Sequence, residues 1–147
     1  QRPHPPLLVG GAERRMLRYA GQVADVVSIS PGYAARAFGP YPAEMSVEAN
    51  TDRQVGWVRD GAGDRIGEVE LSVVAMPAQV TQRPADVAAQ VAPHLGLTAD
   101  EALRSVHVLL GSVEEICSTL HARRDRWIPA GVPSSWCSDV SSRRGFD

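Results

Sequence analysis

The chain has 147 residues, with 15 basic and 17 acidic side chains for a formal net charge of −2; 44% of it is hydrophobic and 22% charged. Such a composition suits one folded domain with its own core, not a disordered chain. No run approaches the roughly 18 apolar residues of a membrane-spanning helix, and a near-neutral charge gives no basic footprint for nucleic acid, so neither a membrane nor a nucleic acid is expected as partner.

Every basic residue is Arg, and Ala and Val are abundant, which reads as the coding bias of a high-GC bacterial genome. Cys117 and Cys137 lack any C-x-x-C or Cys/His metal spacing and are expected as reduced thiols of a cytoplasmic protein. Residues 1–6 lead into only a short apolar run, unlike a secretory signal. The chain opens at Gln1 and its first methionine is Met16, so a piece of a longer product is expected.

Pro5–Gly11 reads as a strand: a Pro pair, three apolar residues, two glycines. Its unbroken apolar run predicts that both faces are covered, as in a parallel sheet. Glu13–Ala24 follows as a helix with Met16, Leu17, Ala20 and Val23 at helical spacing. Asp25–Ser30 is a second short strand. Pro31–Met45, with three prolines, two glycines and Tyr33, Phe38 and Tyr41, is a long loop, a kind of segment that is commonly functional. Val47–Gly61 reads as a helix with Val47, Val55 and Val58 on one face; its cap is either Ser46 or Thr51, the latter spaced from Gln54 as in a capping box.

Glu68–Met76 is the third strand. Pro84–Leu95 is a helix with Pro near its start, stopped by Pro93 and Gly96. Thr98 and Glu101 form one capping box, Ser112 and Glu115 another; the second opens a helix over Val113–Trp127 with Val113, Ile116, Cys117 and Leu120 as its buried stripe. Residues 128–147 show no clear period and read as an irregular tail. Strands alternating with helices predict an α/β fold with a parallel sheet.

The strongest site signal is Gly10-Gly11-Ala12 at a strand-to-helix turn. Glycines let a ligand approach the backbone, and the first N–H groups of a helix, at the positive end of its dipole, suit a phosphate. The plainer reading is a tight turn; the spacing is neither a Walker A loop nor G-x-G-x-x-G. His4, His94, His107 and His121 show no metal-ligand spacing, and no serine-histidine-acid arrangement is visible. His107 reads as a partly buried structural residue, His121 as solvated and Cys117 as core. Tyr33, Phe38 and Tyr41 fit either a pocket wall or a loop cluster.

Pro5–Gly11, the Arg- and Leu-bearing helix after it and Ala24-Asp25-Val26-Val27 together resemble the central segment of luciferase-like flavin or deazaflavin oxidoreductases. Val55-Gly56-Trp57-Val58-Arg59, Ala62-Gly63-Asp64-Arg65, Leu95-Gly96-Leu97-Thr98 and Leu110–Ile116 resemble the actinobacterial branch that uses the deazaflavin coenzyme F-420. The resemblance spans residues 3–127. It implies the C-terminal half of a (β/α)8 TIM barrel, since a whole barrel takes about 250 residues. The strands at Leu7, Asp25 and Glu68 would then be the fifth, sixth and seventh, with an altered eighth after Trp127.

The resemblance further implies a monooxygenase-type oxidoreductase, with F-420 or FMN as cofactor and a small-molecule substrate. The cofactor phosphate would sit at Gly10, Gly11 and Ala12. Relatives carry more glycine where Ala12 and Glu13 stand here, and their ring contacts come mainly from the first half of the barrel, so the resemblance assigns no catalytic residue. A homodimer or a separate N-terminal half-barrel is the expected partner. The alternative is a truncated, inactive half-barrel.

Overall fold

A computed structural model of the chain describes residues 4–32 and 46–128. The aromatic loop Tyr33–Met45, Cys137 and the expected eighth strand lie outside them. In chain order come β1 (Leu8–Gly11), α1 (Arg14–Val23), β2 (Val26–Ile29), α2 (Glu48–Ala62), a 3-10 helix (Gly63–Glu68), β3 (Glu70–Val73), β4 (Ala78–Val80), α3 (Pro84–Leu95), α4 (Ala99–Arg104), β5 (Leu109–Gly111) and α5 (Val113–Trp127). The fold is α/β, with parallel strands alternating with helices. No described helix is long and apolar enough to cross a membrane.

β1, β2 and β3 form one parallel sheet in sequential order. Its register aligns Val9, Val27 and Leu71, then Gly11, Ile29 and Val73, on one face; Leu8, Val26 and Glu70, then Gly10, Ser28 and Ser72, fall on the other. The first face carries the core. Val27, Ile29 and Leu71 pack there with Leu17, Ala20 and Ala24 from α1 and its end, Val55, Val58 and Ala62 from α2, and Trp127 from α5. The helices therefore lie over one face. The opposite face is less covered: Leu8 is 60% exposed, and Val26, Ser28, Glu70 and Ser72 are half-buried. This corrects the expectation that β1 is covered on both faces: Leu8 faces away from the helices, and no described strand pairs with the outer edge of β1.

α1 and α2 meet backbone to backbone. A Cβ on Gly21 would collide with the Val58 carbonyl, and one on Gly61 with the backbone of Arg18. With no side-chain layer between them, α1 buries Leu17, Ala20 and Gly21 and leaves Met16 45% and Val23 39% exposed, so two of its four expected core positions face outward. Arg65, in the 3-10 helix, closes the far end of α1 by donating to Gly21 O at 2.5 Å and Ala24 O at 2.9 Å, which satisfies carbonyls that no basic residue in the last turn serves.

α2 starts after Val47 with no side-chain cap. The N-cap is Val47 and not Ser46 or Thr51, which are both fully buried; this corrects the expected cap. The strand expected over Glu68–Met76 ends at Val73. Beyond it the chain turns away, Met76 N–H donates to His107 O, and Ala78–Val80 pairs in parallel with Leu109–Gly111 as a second, two-stranded sheet. The described residues thus hold five short strands where three were expected. A smaller cluster of Ala88, Ala92, Leu97 and Ala102 packs α3 and α4 together.

Candidate functional site

The sheet order brings the carboxyl ends of β1 and β2 side by side, where parallel α/β folds place their ligands. Gly10 and Gly11 are the last two residues of β1, Ala12 and Glu13 make the turn, and Arg14 opens α1. The two glycines do different things. A Cβ on Gly11 would come within 2.6 Å of Met16 Cγ, so this glycine admits the chain's own helix. A Cβ on Gly10 would touch only Ser28, at 3.7–3.8 Å. Gly10 thus lies in a row of small residues, Gly10–Ser28–Ser72, on the sheet face away from the helices.

α1 is built unlike α4 and α5. Those two begin with complete capping boxes, Thr98 with Glu101 and Ser112 with Glu115, and carry acidic residues in their first turns. α1 has Glu13 in extended geometry at its N-cap with no side-chain hydrogen bond, and no acid in its first turn. Arg14 and Arg15 stand there instead. Their positive charge opposes the helix dipole and adds to the field at the turn. The Glu13 side chain is exposed. No side chain among the described residues caps the first turn of α1, as is also so for α2 and α3.

Gln54, a residue that sequence reasoning treated only as a capping-box partner, holds this turn in place. It is fully buried on α2. Its Nε2 donates to Ala12 O at 3.1 Å and to Ser30 O at 2.9 Å; Ser30 N–H in turn donates to Gly11 O at 3.0 Å. The available sequence signal was an amide at a core position beside Val55 and Val58.

The other singled-out residues do not converge here. His107 is 2% exposed; its Nδ1 lies 3.1 Å from Val74 O and its N–H donates to Ser105 Oγ. Burial pushes its pKa below the usual histidine value, and nearby Arg123 pushes the same way. This is the buried structural histidine expected. His94 and His121 are exposed, Cys117 is a half-buried free thiol, and no group of described residues has the make-up of a metal site. The cavity between α2, α5 and the sheet, lined by Ile29, Thr51, Leu71, Val73, Arg123 and Trp127 among others, measures about 10 Å³, room for a single water and not for a cofactor. No family model matches the chain, and neither a curated protein nor a solved structure matches it.

Proposed function

We propose that this chain is the C-terminal half of a luciferase-like (β/α)8 oxidoreductase of monooxygenase type, and that its turn at Gly10, Gly11 and Ala12 binds the phosphate of coenzyme F-420 or FMN. The observation that carries the reading is the sequential β1-β2-β3 order with the helices over one face. A doubly wound sheet reverses its strand order and puts helices on both faces; a barrel winds one way and keeps them all outside. In a barrel the less covered face, with Gly10, Ser28 and Ser72, is the lumen.

The residues fit a phosphate at the turn. The α1 N–H groups lack a side-chain cap and Arg14 and Arg15 add positive charge, while a Cβ on Gly10 would meet only Ser28 within 4 Å. Bound there, a reduced flavin-type ring would supply the hydride or the electrons for oxygen activation; the protein's part is to hold and orient it. Titrating the purified chain with F-420 and with FMN, followed by quenching of cofactor fluorescence, tests this. Saturable one-to-one binding that is lost in Gly10→Val supports the reading; binding of neither cofactor, alone or with an added first half-barrel, overturns it.

A second reading is favoured by the exposed apolar residues at the β1 edge and around β4, namely Leu7, Leu8, Met76 and Val80: a half-barrel inactive by itself that needs a partner half. Unpaired edges and apolar patches favour association. Sedimentation of the isolated chain separates the two, because a monodisperse monomer that binds cofactor needs no partner.

A further inference from the structure

We propose that the outer edge of β1 and the exposed side of α1 above it form one docking surface whose occupant is a second copy of this chain, the two related by a two-fold axis at Val9. The inference rests on the fold and not on the reading of the turn as a phosphate site.

β1 fixes which peptide groups are open. Leu7 O accepts from Val26 N–H at 3.1 Å, Gly11 O accepts from Ser30 N–H at 3.0 Å, and Leu7 N–H donates to Asp25 Oδ2 at 2.7 Å, so Leu7, Val9 and Gly11 turn their peptide groups toward β2. Alternation then sends the N–H and C=O groups of Leu8 and Gly10 outward, where no described strand pairs with them. Pro6, at the next outward position, has no N–H and stops the edge there. Two open residues on either side of Val9 are self-complementary. Under a two-fold axis at Val9, Leu8 of one copy faces Gly10 of the other, and four N–H···O bonds close between antiparallel strands.

The helix above this edge is bare on the same side. Gly21 and the backbone of Arg18 face α2. At about 100° per residue, Met16, Tyr19 and Val23 fall on the opposite side, and all three are exposed. Met16 packs against Gly11, which places this apolar stripe over β1; Arg15 and Gln22 flank it. Charge selects the occupant. Arg14, Arg15 and Arg18 stand in the amino half of α1, and among the described residues none of them makes an ion pair. The last turn of α1 holds no basic residue, and Asp25 follows it. Each helix is thus positive where its dipole is already positive. A two-fold axis at the β1 edge lays the two α1 helices antiparallel, so the arginines of each run beside the carboxyl end and Asp25 of the other. Parallel helices would set arginine against arginine.

The test is sedimentation of the purified chain over a wide range of concentrations, with hydrogen exchange of the Leu8 and Gly10 amides followed at both ends of the range. A monomer–dimer equilibrium is expected, with both amides protected in the dimer and exchanging in the monomer. Arg15→Glu suits the dipole of its own helix and so keeps the fold, yet it should weaken the dimer roughly tenfold, through two symmetry-related contacts at helix ends. Adding Gln22→Arg places the opposite charge on the carboxyl half of the same stripe and should restore the dimer. A chain that stays monomeric at every concentration overturns the proposal. So does a dimer whose Leu8 and Gly10 amides exchange freely, one that is indifferent to Arg15→Glu or not restored by the double variant, or growth past the dimer into open-ended assemblies.

Discussion

Asp52 on α2 grips Arg126 on α5 side-on, Oδ1 accepting from Nε at 2.8 Å and Oδ2 from Nη2 at 2.6 Å, across 74 residues of sequence. Trp127 Nε1–H adds a third bond to Oδ1 at 2.8 Å. The Arg126 guanidinium is the main reason that the Asp52 carboxyl titrates at about 2 instead of 3.8. A lowered carboxylate pKa contributes stability that is complete above about pH 4 and lost as pH falls through about 2. The pair is partly exposed, so solvent screens part of this contribution. Asp52→Asn should lower the thermal midpoint by a few degrees at pH 7 and match wild type near pH 2. A variant with an unchanged midpoint at pH 7 would remove Asp52 as the pin between these helices.

His107 gives a second, separate pH dependence. Its folded pKa lies below 6.5, chiefly through burial. The unfolded chain therefore takes up a proton first, and stability declines as pH falls below about 6.5 toward the folded value, while it is flat above. His107→Leu should flatten denaturant midpoints between pH 7 and 5. An equally steep decline in that variant would place the titrating group elsewhere.

The two site glycines should part company on substitution. Gly11→Ala drives a methyl into Met16 and should cost about 1–3 kcal/mol, the range for overpacking. Gly10→Ala meets only Ser28 and should stay within about 1 kcal/mol of wild type. Urea unfolding of both variants checks this; equal losses would show that the two sides of β1 are equally filled.

Arg123 is 8% exposed and donates from Nη1 to Val106 O at 3.0 Å and from Nη2 to Ser105 O at 3.2 Å. Arg123→Met leaves two carbonyls without their donor and should destabilise by about 2–4 kcal/mol. Arg123→Lys, which can reach only one, should recover part of that. Full stability of the Met variant would mean that α5 is held by Trp127 and Asp52 alone.

What the sequence disclosed follows from where each signal resides. α3 and α5 span the expected Pro84–Leu95 and Val113–Trp127 because Pro84, Gly96, Ser112 and Glu115 are local stop and start signals. β4 and β5 were missed because each has three residues and exists only through the other. The expected stripe of α5 is partly buried at best, with Val113 56% exposed, because that helix is buried at Arg123 and Trp127, in its last turns. At the candidate site the Gly10-Gly11-Ala12 turn was legible. Gln54, which grips it from 42 residues away, was not, since its helical spacing from Val47 and Val58 marks it as core-facing but does not say what its amide bonds.

The glycine crossing of α1 and α2 sets how this part of the molecule can move. Interlocked side chains can hop between rotamers and let helices slip; touching backbones have no such layer to shear. The crossing thus joins α1 to α2 without a layer that could slip, and Asp52 ties α2 on to Arg126 of α5.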